Sequence, residues 1–167
     1  MAVDKALLTA LREQVGVAHA EELGAVTAAA TRRYAAAVGD SNPLYTDAGY
    51  ARSLGYADVL APPNFLAAVI DWTPGAPYED LREDGTAAGT HLPGVPASGV
   101  RIMGGGEEMT FERPVVAGTV VRRTTVLTEV TRRESSSGPM LVARYQDLYT
   151  DDDGAVLLRT VRTVLLR

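Results

Sequence analysis

Three runs rich in β-branched residues lie close together towards the C-terminus of the 167-residue chain, and they restrict its fold more than any other feature. They read TVVRRTTVLTEVT over 119–131, LVARYQDLYT over 141–150 and VLLRTVRTVLL over 156–166. β-Branched and aromatic residues favour strands, and the Ser-Gly-Pro and Asp-Gly segments between the runs favour turns. A fourth strand-like run over 107–112 precedes them. We therefore predict a four-stranded antiparallel meander in this part of the chain.

The N-terminal part is predicted to be mainly helical, and one of its helices is predicted to be buried. Thr27 is suited to cap a helix over 28–38, which Gly39 ends. A second helix is predicted over 62–72, because the prolines at its start cost it little hydrogen bonding. This helix is apolar on every side apart from its ends, which is typical of a core helix. With a further strand over 17–26, we predict an α+β hot-dog fold, in which a curved antiparallel sheet wraps around a buried central helix.

The composition predicts one ordinary globular domain over residues 1–167. Hydrophobic residues make up 46% and charged residues 22% of the chain, which is typical of globular proteins. Nine of the residues over 73–99 are glycine or proline, so we predict a long loop there, acting as a flap or a partner-binding segment. No apolar run approaches the ~18 residues of a membrane-spanning helix, and the N-terminus resembles no signal peptide. We expect a cytoplasmic protein.

Charge and residue types exclude several kinds of function. The net charge is −5, which disfavours general binding to nucleic acid or to an anionic membrane. Cysteine is absent, which excludes disulfides, thiolate metal sites and cysteine nucleophiles. His19 and His91 are the two histidines, so we expect no metal site.

Two neighbouring segments contain the pattern that is most informative about function. Residues 38–47 read VGDSNPLYTD, and residues 55–63 read GYADVLAPP. They resemble the motif G-D-x-N-P-[LIV]-H and its surroundings in the family of MaoC-like dehydratases and (R)-specific enoyl-CoA hydratases. The segments GGGE at 104–107 and FERP at 111–114 are also similar to that family. The resemblance extends over about 15–166 and is greatest to the N-terminal, catalytically incomplete branch, in which the motif ends in tyrosine.

The resemblance implies a set of catalytic positions. In the family, an aspartate and a histidine five positions later flank a water that adds to a 2-enoyl thioester, or that leaves in the reverse dehydration. Here Asp40 occupies the aspartate position, Tyr45 occupies the histidine position, and Asn42 is expected to fix the loop between them. A phenol with a pKa near ~10 donates a hydrogen bond but is a poor base at neutral pH. The chain therefore lacks half of the family's acid–base pair.

The resemblance also implies how substrate is bound. The expected substrate-binding residues are Pro63, Asn64 and Phe65 at the start of the central helix, with Gly104 and Gly105. The substrate would be an acyl thioester of coenzyme A or of an acyl carrier protein, with coenzyme A or phosphopantetheine as its carrier and no separate cofactor. The domain is expected to pair through its sheet edges into a homodimer or heterodimer, because an open strand rich in valine and threonine promotes aggregation.

Three functional interpretations remain open at this stage. The favoured one is the substrate-binding subunit of a heteromeric (R)-hydratase or dehydratase, whose MaoC-like partner supplies the histidine. The second is a homodimer that uses Asp40 with Tyr45 or His91 to add water or an amine to an enoyl thioester. The third is a hot-dog acyl thioesterase.

Four arginines are interpreted as a solvated strand face rather than as contacts to coenzyme A or a carrier protein: Arg122, Arg123, Arg132 and Arg133.

Overall fold

The computed structural model describes residues 5–68, 77–81, 83, 92–96, 99–136 and 138–167. Its helices are α1 (Lys5–Gln14), α2 (Ala28–Val38), α3 (Ala48–Ser53) and α4 (Phe65–Ala68). Its strands are β1 (Ala18–Ala25), β2 (Ile102–Phe111), β3 (Val120–Ser135), β4 (Gly138–Thr150) and β5 (Val156–Leu166). Within these ranges, no helix is long and apolar enough to cross a membrane.

The five strands form one antiparallel sheet in the order β1-β3-β4-β5-β2. The α+β hot-dog prediction is confirmed, and β3, β4 and β5 follow one another as predicted. The prediction of a four-stranded meander in chain order is wrong, because β2 pairs with β5 and lies at the far edge of the sheet. The segment after β2 does not turn back as a hairpin: Ala117 N donates to Val59 O and Gly118 N donates to Val26 O.

The two predicted helices differ in how well the sequence located them. The prediction for α2 is confirmed: Thr27 Oγ1 accepts a hydrogen bond from Ala30 N at 3.1 Å, and Gly39 has a φ of 72°. Helix α4 begins three residues later than predicted, because Asn64 has a φ of 68°, which is incompatible with a right-handed helix. The rest of the second predicted helix, 69–72, lies outside the described residues, as does most of the predicted loop over 73–99.

Two apolar clusters cover the inner face of the sheet at opposite ends. The first cluster includes Leu11, Leu127, Leu141, Tyr145, Val164 and Leu166. The second cluster includes Val26, Phe65, Leu66, Val121, Tyr149 and Leu158. Side chains of alternate residues in a strand share one face, so these clusters occupy the same face of β4 and β5.

A polar belt lies between the two apolar clusters, and its centre is Asp147. The carboxylate of Asp147 is 2% exposed and accepts four hydrogen bonds. Thr125 Oγ1 and Thr160 Oγ1 donate to it at 2.6 and 3.1 Å, and Arg162 Nε and Nη2 donate at 2.7 and 3.0 Å. The register of β3, β4 and β5 brings these residues together, so the buried carboxylate is fully hydrogen-bonded.

A buried arginine extends this belt towards β1. Arg123 is 5% exposed, and its Nε donates to Glu21 Oε1 at 2.8 Å. The prediction that Arg123 belongs to a solvated strand face is therefore wrong, because alternation along β3 turns it inwards and Glu21 neutralises it. Arg122, Arg132 and Arg133 are exposed, as predicted.

Buried tyrosines give the fold a predicted sensitivity to high pH. Burial raises the pKa of Tyr145 to about 12, and its hydroxyl donates a 2.9 Å hydrogen bond to Pro93 O. The unfolded chain loses this proton near pH ~10, so stability is retained below that pH and falls between the two pKa values. We expect Tyr145 to account for about 2 kcal/mol of lost stability by pH 12. Urea unfolding followed from about pH 9 to about pH 12 measures this loss.

The control for this prediction compares a buried tyrosine with an exposed one. Tyr145→Phe should flatten the fall in stability above pH 10, whereas Tyr78→Phe, at a side chain that is 89% exposed, should leave it unchanged. The stability of Tyr145→Phe should still fall to some extent above pH 10, because burial also raises the pKa of Tyr149. Equal pH profiles for the two variants would contradict the assignment to Tyr145.

Candidate active site

A pocket of about 300 Å³ opens beside the start of α4, at the lower end of the ~300–1,000 Å³ range of ligand pockets. Its lining combines the 60–66 segment, the end of β2 with the residues that follow it, and the start of β5. The described lining residues are Tyr45, Leu60, Ala61, Pro62, Pro63, Asn64, Phe65, Leu66, Phe111, Glu112, Arg113, Pro114, Val115, Leu157 and Leu158. Most of them are apolar, so the described wall suits an aliphatic ligand better than a charged one.

Local hydrogen bonds direct Tyr45 into this pocket. Gly39 ends α2 in a left-handed conformation, and the chain then turns through Asn42, whose Oδ1 accepts from Leu44 N at 3.0 Å. Pro43 begins a 3₁₀ turn over Pro43–Tyr45. Tyr45 is 9% exposed as a result and packs with Ala35 and Leu60. The Gly-Asp-x-Asn-Pro pattern therefore positions Tyr45, which stands two residues after its proline.

Asp40 lies close to Tyr45 but not in the pocket lining. It is exposed, and its Oδ1 accepts a hydrogen bond from Asn42 N at 3.0 Å. Burial raises the pKa of Tyr45, and the negative charge of Asp40 raises it further. The phenol therefore stays protonated at neutral pH and presents a hydrogen-bond donor to the pocket.

The structure brings some of the other predicted site residues together and separates the rest. Pro63, Asn64 and Phe65 line the pocket with Tyr45. Gly104 and Gly105 lie in β2 where its pairing with β5 is irregular, and they are absent from the described lining. Packing explains why residue 105 is a glycine, because a Cβ at this position would lie only 2.9 Å from Thr163 Cγ2. A substrate-binding role for these glycines stays a prediction.

Sequence reasoning missed several lining residues from the end of β2 and from β5. Phe111, Arg113, Leu157 and Leu158 all line the pocket, although the sequence alone indicates no role for them. The FERP segment at 111–114 is part of the family resemblance, and an aromatic residue two positions before an arginine at a strand end is the available signal. Leu157 and Leu158 gave no signal, because their role depends on pairing between β5 and β2.

No imidazole lines the described part of the pocket. His19 lies on β1, is exposed, and its Nε2 is 3.2 Å from Gln14 Oε1. His91, considered as a catalytic residue, lies outside the described residues. Across the described ranges, no three histidine, aspartate or glutamate side chains are grouped so as to hold a metal ion. The described groups of this site donate hydrogen bonds but include no ready base other than exposed carboxylates.

Comparisons with known proteins agree with this description. Residues 13–160 match the family described as the FAS1-like dehydratase domain region. A UPF0336 protein of Streptomyces avermitilis is 38% identical over 87 residues, or 52% of this chain, and the match spans half the length of that relative.

Solved structures share the fold at low sequence identity. One chain of the ChsH1-ChsH2 complex from Mycobacterium tuberculosis has a TM-score of 0.69 and 16% identity, with 96% of this chain and 90% of that chain covered. A MaoC-like dehydratase from Rhodospirillum rubrum has a TM-score of 0.59 and 22% identity, with 92% and 93% covered. The family match and the motif over 39–45 agree, and the predicted resemblance is confirmed. The chain therefore belongs to the family of FAS1-like dehydratase domains, and it shares its fold with MaoC-like dehydratases.

Proposed function

We propose that this chain binds a 2-enoyl or 3-hydroxyacyl thioester and is the substrate-binding subunit of a heteromeric (R)-specific hydratase or dehydratase. The observation that carries this proposal is Tyr45, which stands in the pocket at the position where the family motif has histidine. The thioester is carried by coenzyme A or by an acyl carrier protein. A second MaoC-like chain with an intact aspartate and histidine supplies the acid–base pair.

The chemistry of the pocket supports binding better than turnover. Hydration needs a group that removes a proton from water, and a phenol whose pKa is raised by burial and by the negative charge of Asp40 does not do so at neutral pH. The same phenol is well suited to donate a hydrogen bond to a carbonyl oxygen. Apolar side chains such as Leu60 and Leu158 provide surface for an acyl chain.

The exposed position of Asp40 also supports the proposal that this chain binds substrate and the partner chain supplies the acid–base pair. Its carboxylate already accepts a hydrogen bond from the backbone of Asn42, and it lies outside the described lining. A carboxylate that activates a water must have that water and the substrate within hydrogen-bond reach. One of the structurally similar proteins is part of the ChsH1-ChsH2 complex, which is in keeping with a paired arrangement.

The decisive experiment measures binding and turnover separately. We expect the purified chain to bind crotonyl-CoA in isothermal titration calorimetry but to leave the enoyl absorbance unchanged. Adding a co-purifying MaoC-like chain that contains the histidine should restore hydration, and replacing that histidine should abolish it again.

Other outcomes would identify the alternative functions. Hydration by the purified chain alone at ordinary enzyme rates, about 1–10³ s⁻¹, would show a self-sufficient hydratase and contradict the subunit role. Asp40→Ala and Tyr45→Phe would then test which residue is responsible. Release of free thiol, detected with a thiol reagent, would show a thioesterase. Absence of any thioester binding, alone or with the partner, would refute the proposal altogether.

A further inference from the structure

The arginine that follows β2 is held at the pocket by its backbone while its side chain remains exposed. Arg113 lines the pocket, and its backbone N donates to Leu157 O at 3.3 Å. Pro114 follows it directly and restricts the backbone on that side. Because Arg113 is an exposed residue and also part of the lining, it lies where the pocket meets solvent.

The charge of Arg113 is not compensated by its neighbours. Glu112, the other charged lining residue described, pairs with Arg159, whose Nε lies 3.2 Å from Glu112 Oε1. Arg113 forms no ion pair with any residue in the described part of the chain. Among the described lining residues of this mainly apolar pocket, Arg113 is therefore the one cation, and it has no carboxylate partner, in a chain whose net charge is −5.

We propose that Arg113 binds a phosphate ester group of the thioester's carrier. This inference rests on the proposed function, since it assigns the charged end of the ligand whose apolar part occupies the pocket. A guanidinium group forms two parallel hydrogen bonds to phosphate oxygens and is strongly favoured for phosphate recognition. Coenzyme A and the phosphopantetheine arm of a carrier protein share this chemistry: an uncharged pantetheine segment joined to a phosphate ester.

The other arginines of the sheet are less suitable for this role. Several are already paired with carboxylates: Arg122, Arg123, Arg132, Arg144, Arg159 and Arg162. Arg133 is exposed and has no ion pair within the described ranges, but it lies on β3 opposite Met140 and is not part of the described lining. Arg133 therefore provides a matched control with the same charge, similar exposure and a different location.

The test compares three ligands that share a crotonyl-pantetheine group, which carries no phosphate, a phosphate ester, or the complete nucleotide portion of coenzyme A. Crotonyl-CoA, crotonyl-phosphopantetheine and crotonyl-pantetheine are titrated calorimetrically into the wild-type chain, Arg113→Gln and Arg133→Gln. We expect Arg113→Gln to weaken binding of the phosphate-bearing ligands by about tenfold and to leave crotonyl-pantetheine unchanged, because a charged hydrogen-bonded contact is lost. Arg133→Gln should bind all three like the wild type. Thermal unfolding of each variant verifies that the fold is intact.

The outcomes show which phosphate Arg113 contacts, and they distinguish a failure of this role from a failure of the proposed function. A loss with both phosphate-bearing ligands places the contact at the phosphate beside pantetheine, which both carriers share; a loss with crotonyl-CoA alone places it at the nucleotide phosphates and identifies coenzyme A as the source. If Arg113→Gln and Arg133→Gln behave alike, or if crotonyl-pantetheine binding falls equally, the role of Arg113 is refuted while the proposed function stands. If the wild type binds none of the three ligands, either alone or with the partner, the proposed function itself fails, and the role of Arg113 fails with it.

Discussion

Replacing Asp147 with alanine is expected to lower the free energy of unfolding by about 3 kcal/mol, towards the lower end of the values seen when a buried ion pair loses one partner. The change leaves Arg162 without its counter-charge and removes the acceptor of both Thr125 and Thr160. The Arg162 side chain is 21% exposed, so water compensates part of the loss. Urea unfolding followed by circular dichroism measures the effect.

An exposed aspartate in a similar ion pair provides the control. Asp152 lies 3.3 Å from Arg122 and is 54% exposed, so Asp152→Ala should cost less than about 1 kcal/mol. The double variant Asp147→Ala with Arg162→Ala should recover part of the loss, since no uncompensated charge then remains. If Asp147→Ala is no more destabilising than Asp152→Ala, the polar belt does not stabilise the sheet as we describe.

Phe65→Ala is expected to cost about 3–5 kcal/mol of stability. Phe65 is 2% exposed and packs in the second apolar cluster beneath the pocket. Its ring also meets that of Tyr34 edge-on, with centroids 5.4 Å apart and an interplanar angle of 86°. The substitution therefore removes buried surface and an aromatic pair that is worth ~0.5–1.5 kcal/mol beyond its area. Chemical unfolding of the variant measures the loss.

The chain provides a matched control in its second phenylalanine. Phe111 also lines the pocket but is 55% exposed, so Phe111→Ala should cost less than about 1 kcal/mol. Both substitutions widen the same pocket. A larger loss of stability in Phe65→Ala than in Phe111→Ala therefore reports the burial of Phe65 and not a change in the shape of the pocket. A double-mutant cycle between Phe65 and Tyr34 then measures their coupling. Equal losses from Phe65→Ala and Phe111→Ala would contradict the packing described for α4.

Local signals located the elements that the sequence predicted well. The cap at Thr27 and the stop at Gly39 depend on contacts within a few residues, so they appear directly in the sequence. The alternation and turns of β3, β4 and β5 are similarly local, because each strand pairs with the next in the chain. The motif that ends in Tyr45 located one wall of the pocket for the same reason.

Features that depend on distant parts of the chain were not predictable in this way. Arg123 looks like a surface residue in its sequence context, and its burial depends on Glu21, 102 positions away. The position of β2 beside β5 depends on the path that the chain takes after Phe111. The segment before α4 is likewise held by a distant residue, because Val115 O accepts a hydrogen bond from Ala61 N at 2.7 Å, and Asn64 follows with a φ of 68° that delays the start of the helix.

The strand order of the sheet also has a consequence for the order in which the chain folds. The hairpins β3–β4 and β4–β5 close short loops, whereas the pairing of β1 with β3 joins residues that are separated by about two thirds of the chain. Closing a longer loop costs more entropy, so contacts that are distant in sequence tend to form later. We therefore expect the hairpins to form the folding nucleus and β1 to join late. Substitutions in β1 should then mainly speed unfolding, whereas those in the hairpins should slow folding.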